Sequence, residues 1–267
     1  MLEVRCIRRI GLTDTDGPYG VDIDQSGRIA VTGRKSYTVE VFDHHGNTQV
    51  KFGEKGEDLG KFNFPCEVAM VAEQRLLVTD PYNDRVQSFS TESGSFLGLF
   101  GDSQNEFLHP RGITVDESGR VLVAYASQCC IYDNQGQFIS GLDTNNDQLR
   151  GVCAKGGKVY TTDRDSNHVK ISDYSGKILK VFGEYGQGNG QFDRPRSVRV
   201  TDNGEILVAD CRNNRVQRFD SNGNFIDVLV SDASEEDLDS PTALSLTANE
   251  DMVVANYGSN KLLVFEM

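Results

Sequence analysis

The feature that most constrains the fold of this chain is an internal repeat. The stretch GQFDRPRSVRVTDNGEILVADCRNNRVQRFDSNGNFI, residues 190 to 226, has a shorter counterpart in NEFLHPRGITVDESGRVLVAYA, residues 105 to 126. Six such units follow one another, with spacings of 47, 45, 39, 46 and 46 residues between the anchor positions Pro18, Pro65, Pro110, Leu149, Pro195 and Pro241. A period in the forties that contains several short strands is typical of a β-propeller.

Each unit has the pattern of four short strands. In the fifth unit we predict strands at 198–200, 206–209, 215–219 and 225–229, separated by turns rich in Asn, Asp, Ser and Gly. These turn residues favour tight hairpins, and a proline suits the start of a strand because it has no N–H for the ladder. No segment has a sustained helical period, so the sequence predicts an all-β chain.

The two ends of the chain predict how the ring closes. The last unit stops after its third strand, at KLLVFEM, whereas the chain begins with EVRCIRRIG, which is similar to the fourth strand KILKVFG. We therefore expect residues 3–10 to complete the sixth blade, which also removes exposed strand edges. The prediction is one domain, residues 1–267: a six-bladed β-propeller with four-stranded antiparallel blades that start near residues 18, 65, 110, 149, 195 and 241.

The repeat GQFDRPRSVRVTDNGEILVADCRNNRVQRFDSNGNFI resembles an NHL repeat, and the similarity extends over essentially the whole chain. Such repeats resemble the C-terminal part of tripartite-motif (TRIM-NHL) ubiquitin ligases and related post-transcriptional repressors. The resemblance implies a propeller whose top face binds single-stranded RNA, with a preference for uridine, or protein partners. Any ligase activity would lie outside this chain, because its sequence has no RING, B-box, coiled-coil or filamin module.

The residues after the anchors carry the main functional signal. In a propeller these positions and the loops between the second and third strands lie on the top face, and three consecutive blades place an arginine after the anchor. The top-face residues that we expect to bind RNA are Tyr19, Arg34, Lys35, Tyr82, Asn83, Arg111, Arg150, Arg164, Arg196, Arg212, Asn213, Asn256 and Tyr257.

These residue types suit a single strand of nucleic acid. Arginine neutralises phosphate and stacks on bases, tyrosine offers a stacking face, and asparagine reads base edges. Arginine is also enriched in protein interfaces, and acidic loops, including the run SDASEEDLDS at 231–240, surround the basic centre. The alternative is therefore a protein-interaction platform, such as the substrate-recruiting module of a RING-type ubiquitin ligase, that binds no RNA.

Other features favour a binding domain over an enzyme. The four histidines occupy positions that cannot converge on one ion, and no nucleophile elbow or phosphate-binding glycine loop occurs, so we expect no catalysis, metal or cofactor. The six cysteines lack CxxC pairs, which argues against zinc and a disulfide framework and favours a cytoplasmic location. With a net charge of -13, we expect a monomer that binds neither DNA nor membranes.

Two groups of polar residues admit a structural and a functional interpretation. The acid and base pairs Asp80 with Arg85, Asp163 with His168 and Asp210 with Arg215 recur in separate blades, which favours a scaffold role over a catalytic one. In the first strands, Asp22, Glu67 and Arg199 are larger and more polar than their counterparts. They either compensate one another's charge in the central channel or hold a ligand there.

Overall fold

The computed structural model describes residues 4–12, 17–72, 74–101, 107–125, 128–143, 148–232 and 238–267. They form six four-stranded antiparallel sheets, the blades of a propeller. The only helical segments in these ranges are two 3₁₀ turns, Pro81–Asn83 and Cys211–Asn213. None of the described residues forms a helix long and apolar enough to cross a membrane.

The strands follow the repeat along the chain, after a first strand β1 (Arg5–Gly11). Blade 1 contains β2 (Pro18–Ile23), β3 (Ile29–Gly33), β4 (Thr38–Phe42) and β5 (Thr48–Phe52). Blade 2 contains β6 (Val68–Val71), β7 (Arg75–Asp80), β8 (Arg85–Ser90) and β9 (Phe96–Phe100). Blade 3 contains β10 (Pro110–Val115), β11 (Val121–Tyr125), β12 (Gln128–Tyr132) and β13 (Phe138–Asp143).

The second half of the ring repeats this order. Blade 4 contains β14 (Leu149–Lys155), β15 (Lys158–Asp163), β16 (His168–Asp173) and β17 (Ile178–Phe182). Blade 5 contains β18 (Pro195–Val200), β19 (Ile206–Asp210), β20 (Arg215–Phe219) and β21 (Phe225–Ser231). Blade 6 contains β22 (Pro241–Leu246), β23 (Met252–Asn256) and β24 (Lys261–Glu266), and β1 pairs with β24 as its fourth strand. The predicted all-β six-bladed fold, closed by an N-terminal strand, is confirmed.

The hydrophobic core lies between successive blades. Between blades 2 and 3, for example, Leu77 and Val86 pack with Ile113 and Val123 in one buried cluster. Five further clusters fill the other boundaries in the same way, including the one between blades 6 and 1. Burial of apolar surface between neighbours therefore holds the ring together.

The bottom face is built of hairpin turns that share one aspartate motif. In blade 5 the Oδ1 atom of Asp220 accepts hydrogen bonds from the N–H groups of Asn222 (2.8 Å) and Asn224 (2.9 Å). The same i+2 and i+4 pattern occurs at Asp24, Asp43, Asp116, Asp133 and Asp173. These acids of the bottom face thus form the turns.

Candidate nucleic-acid interface

The six residues that follow the anchors converge on one cavity at the mouth of the central channel. The cavity has an empty volume of about 230 Å³ and an interior with room for about one water-sized group. It is lined by Glu67 and by the six residues Tyr19, Cys66, Arg111, Arg150, Arg196 and Thr242. A nucleotide base cannot enter a space of this size, whereas a single oxygen atom can.

Neighbouring blades fix the backbone of this ring. The side-chain hydroxyl of Thr79 in blade 2 donates to the carbonyl of Arg111 in blade 3 (2.9 Å). Thr162 in blade 4 donates in the same way to the carbonyl of Arg196 in blade 5 (2.9 Å). The backbones of Arg111 and Arg196 are thus each fixed by the preceding blade, and the side chains of both residues line the cavity.

The arginines of the ring are in no ion pair with the described residues, although Glu67 lines the same cavity. Arg111, Arg150 and Arg196 form no ion pair with a carboxylate among the described residues, and the buried Nε atoms of Arg150 and Arg196 have no hydrogen-bond partner there. Burial, together with the neighbouring charge of Arg111, lowers the pKa of Arg150 to about 10. A set of partly buried guanidinium groups without a counter-ion favours the binding of an anion.

Tyr19 has a different place from the one we expected. Its hydroxyl accepts a hydrogen bond from Nη1 of Arg196, and the guanidinium carbons of Arg34 and Arg196 lie 4.6 Å and 5.0 Å from its ring centroid. Only 8% of Tyr19 is exposed. Tyr19 therefore orients two arginines through cation–π contacts and offers little free surface for a base.

An arc of aromatic side chains extends from the ring over blades 6, 1, 2 and 3. The ring of Tyr257 lies 6.1 Å from that of Tyr19 and under the ammonium group of Lys35 (5.7 Å). Further along, the ring of Tyr82 lies 5.4 Å from Phe64 and 5.9 Å from His109. Half of the surface of Tyr82 is exposed (50%), so this part of the arc is open for stacking.

The sequence analysis missed the residues that precede the anchors. Phe64, His109 and Arg194 stand directly before prolines and have left-handed backbones, with φ values of 55°, 52° and 56°. The signal that could have found them is the same repeat position read one residue earlier. The rings of Phe64 and His109 belong to the aromatic arc, and Arg194 lines a second groove.

That second groove lies between the top loops of blades 4 and 5. It has an empty volume of about 480 Å³ and brings together two predicted residues, Arg164 and Arg212, with Arg194 and Tyr185. Arg164 is in an ion pair with Asp165 (Nε to Oδ1, 3.3 Å), whereas Tyr185 is 70% exposed. Burial and the nearby charge of Arg194 lower the pKa of the Arg164 guanidinium.

The three predicted amides belong to the loop scaffold, which differs from our expectation that they read base edges. Nδ2 of Asn83 donates to the carbonyl of Gly56 (3.0 Å) and to Asp80 (2.8 Å). Nδ2 of Asn213 donates in the same way to Gly186 and Asp210, both at 2.8 Å. Asn256 is fully buried, and its Oδ1 accepts from the N–H of Asp239 (2.7 Å). These hydrogen bonds stabilise the loops and occupy the groups that would contact bases.

The predicted acid and base pairs are scaffold as well. Nε of Arg85 donates to Asp80 (3.0 Å) and Nε of Arg215 donates to Asp210 (2.8 Å). Asp163 accepts from the backbone N–H groups of Gln148 (2.9 Å) and Asp165 (2.8 Å). The carboxylates thus close the loops around them, as the repetition of the pattern indicates.

Below the ring, two of the three polar channel residues have partners of their own. Asp22 accepts from the N–H of Met70 (2.8 Å) and from the hydroxyl of Ser245 (3.2 Å), and burial raises its pKa. Arg199 donates to the carbonyl of Val198 (3.0 Å). No group of three or more His, Cys, Asp or Glu residues in the described ranges could hold a metal ion.

Comparison with known proteins supports the repeat assignment. The family model for the NHL repeat matches residues 192–219. The chain is 28% identical to Protein brain tumor of Drosophila melanogaster over 125 residues and 35% identical to Protein lin-41 of Caenorhabditis elegans over 131 residues. These matches cover 46% and 47% of this chain but only 12% and 10% of the two relatives, so the matched part is about a tenth of each of these two proteins.

Two further similarities are to enzymes. The chain is 25% identical to peptidylglycine alpha-amidating monooxygenase of Rattus norvegicus over 231 residues, which are 76% of this chain and 23% of that protein. A solved structure of streptogramin B lyase has a TM-score of 0.68 at 14% identity and covers 98% of this chain and 97% of that one, which shows a shared fold alone. Related propellers thus include enzymes. The chain thus contains an NHL repeat at residues 192–219, within a propeller of six similar blades.

Proposed function

We propose that this propeller is a non-catalytic recognition domain that binds a short single-stranded RNA on its top face, in a cytoplasmic post-transcriptional regulator. The observation that carries the proposal is the convergence of Arg111, Arg150 and Arg196 on one cavity without an acidic partner in the described structure. Positive charge that forms no ion pair with the described carboxylates supports recognition of a polyanion.

The distribution of aromatic side chains supports a single strand over a duplex. Bases of a single strand are free to stack, and the exposed ring of Tyr82 offers a face beside Phe64 and His109. The arginine ring lies next to this arc, so one strand could place phosphates on the ring and bases on the arc. We infer the preference for uridine from the NHL resemblance alone.

Outer residues would extend the footprint. Lys35 and Arg212 are exposed on the top loops, and Tyr185 stands in the groove between blades 4 and 5. The acidic loops at the periphery, where Lys61 pairs with Glu54 (3.3 Å) and Asp58 (3.1 Å), limit binding to a short segment. Selection of bound RNA from a random pool would identify its sequence.

A second candidate function is a protein-interaction platform, for example in a ubiquitin ligase. The observation that favours it is the exposure of Leu59, Leu108 and Tyr185, at 59%, 56% and 70%, on the loops that lead into blades 2, 3 and 5. Apolar and tyrosine side chains of this kind are common in protein interfaces. The response to salt distinguishes the two functions, because RNA affinity falls steeply with salt.

The direct test is a pair of variants measured by fluorescence anisotropy with labelled single-stranded RNA over a series of salt concentrations. We expect Arg111→Gln with Arg150→Gln to weaken binding by at least about a hundredfold, since each charged hydrogen bond contributes about 1.5–3 kcal/mol. The slope of log affinity against log salt should fall by about 1.4, or about 0.7 per lost phosphate contact. Arg196 is not substituted, because its hydrogen bond to the Tyr19 hydroxyl is part of the ring's own structure.

The matched control removes the same charge from the opposite face. Lys158 and Lys177 lie at the bottom hairpins of blade 4, and Lys158→Gln with Lys177→Gln should leave both the affinity and the slope unchanged. If the arginine variant binds RNA as tightly as the wild type, or if the two double variants lose affinity equally, the assignment to the top face is wrong.

A further inference from the structure

Glu67 is the one carboxyl group among the residues that line the central cavity. It is 7% exposed, and its backbone is fixed by a hydrogen bond from its N–H to Thr79 Oγ1 (2.9 Å) and by one from the N–H of Thr79 to its carbonyl (3.0 Å). Its carboxyl oxygens accept no hydrogen bond from the described residues. The carboxyl group therefore keeps its hydrogen-bonding capacity for a group that enters the cavity.

Burial determines the charge state of this group. It raises the pKa of Glu67 to about 8, the negative charge of Asp22 acts in the same direction, and Arg199 and Arg196 oppose the shift. The titratable and charged groups on the strands around it are Tyr19 and Asp22 of blade 1, Cys66 of blade 2, Arg111 of blade 3, Arg150 and Cys153 of blade 4, and Arg196 and Arg199 of blade 5. At neutral pH the carboxyl group is therefore mostly protonated.

A protonated carboxyl group is a hydrogen-bond donor. The guanidinium groups of Arg150 and Arg196, which line the same cavity, are donors as well. The cavity thus presents several donors, with room for about one water-sized group. Such a space is complementary to a single oxygen atom of an oxyanion, and it is too small for the whole ion.

We propose that the cavity at the mouth of the channel is an oxyanion site that takes one non-bridging oxygen of a phosphate, with the protonated carboxyl group of Glu67 as the donor on its floor. The guanidinium groups of Arg150 and Arg196 complete the site. If the phosphate belongs to RNA, this inference rests on the proposed function. A free oxyanion offers the same oxygen atom and could occupy the same site.

The site makes binding depend on one proton. Below pH 8 Glu67 donates to the phosphate oxygen; above it, the carboxylate repels the phosphate and neutralises part of the ring. RNA affinity is therefore present at low pH and lost as pH rises through about 8. If only the protonated form binds, about nine tenths of the sites are competent at pH 7 and about one tenth at pH 9, so the apparent Kd rises about tenfold.

The test compares the wild type with Glu67→Gln and Glu57→Gln in RNA binding from pH 6.5 to 9 at constant ionic strength. The wild type should lose about tenfold in affinity between pH 7 and 9. Glu67→Gln should show no such loss, because its amide donates at every pH. Glu57→Gln, which removes an exposed carboxylate from the same face of the ring, should follow the wild type. Identical profiles for wild type and Glu67→Gln would overturn the proposal.

A second arm separates this inference from the proposed function. Sulfate keeps its charge over this pH range, so the shift in Tm between sulfate and chloride at matched ionic strength reports a free oxyanion in the site. One outcome is that RNA binds at no pH, while sulfate stabilises the wild type at pH 7 but not at pH 9 and stabilises Glu67→Gln at both pH values. In that case the proposed RNA-binding function is wrong and the oxyanion site is supported. If neither RNA nor sulfate depends on Glu67, the site does not exist.

Discussion

At the scale of single residues, Arg215 shows how one buried side chain organises a whole loop. Its Nε donates to Asp210 (2.8 Å), Nη1 donates to the carbonyl of Gln187 (2.9 Å), and Nη2 donates to the carbonyls of Gly188 and Gln191, both at 2.8 Å. Arg85 repeats this arrangement in blade 2 with the loop that contains Glu57, Asp58 and Lys61. The loops of the top face that lead into blades 2 and 5 are thus held from below by satisfied arginines.

We predict that Arg215→Met destabilises the protein by about 3–5 kcal/mol, because it leaves the fully buried Asp210 without its cation. The measurement is the free energy of unfolding in urea. The control is Arg218→Met on the same strand, whose partners Asp227 (2.7 Å) and Glu205 (3.3 Å) are partly exposed, so that neither carboxylate is left fully buried. That change should cost about 0–1 kcal/mol, and equal losses for the two variants would contradict the argument.

Some side-chain positions could be predicted from the sequence and others could not. The convergence of the ring residues on one cavity could be anticipated, because their place after each anchor is a property of the repeat. The hydrogen bonds from Asn83 and Asn213 to loop carbonyls could not be anticipated, because they depend on how the loop before each blade folds back. The burial of Tyr19 depends likewise on Arg34, in the turn after β3, and on Arg196 of β18.

At the scale of strands, the repeat predicts where the four strands of a blade lie. In blade 5 the predicted strands agree with β18, β19, β20 and β21 to within a few residues at each end. The close approach of neighbouring first strands was less visible in the sequence. A Cβ atom at Gly112 on β10 would lie 2.6 Å from the carbonyl oxygen of Arg150 on β14, so this glycine has a steric role.

We predict that Gly112→Ala destabilises the propeller by about 1–3 kcal/mol, since overpacking must move the backbone of blade 3 or blade 4. It should also weaken RNA binding, because the displaced carbonyl belongs to Arg150. Gly141→Ala in β13 of the same blade is the control, since its Cβ would meet only the Cys130 sulfur at 3.6 Å. Thermal unfolding and anisotropy measure both effects; a Gly112→Ala protein with unchanged Tm and affinity would show that the blades can separate freely.

At the scale of the whole molecule, closure turns a row of repeats into one unit. In an open array, each repeat contacts only its neighbours, and the ends can unfold separately. Here β1 pairs with β24, and Ile10 of β1 packs in one buried cluster with Val21 of blade 1 and Leu262 of blade 6. The boundary between the last and first blades is therefore built like the others, and we expect the ring to unfold as a single cooperative body.

The last prediction tests this closure with two variants of one strand. Ile10 is 5% exposed and Ile7 is 47% exposed, so Ile10→Ala should cost about 2–5 kcal/mol and Ile7→Ala within about 0.5 kcal/mol. If the ring is one cooperative unit, Ile10→Ala lowers the midpoint of urea unfolding and leaves the slope unchanged, because the same surface is exposed when all six blades unfold together. An early separate transition in Ile10→Ala, with the remainder unfolding at the wild-type midpoint, would mean that blade 6 opens alone and that the ring is a linear array with touching ends.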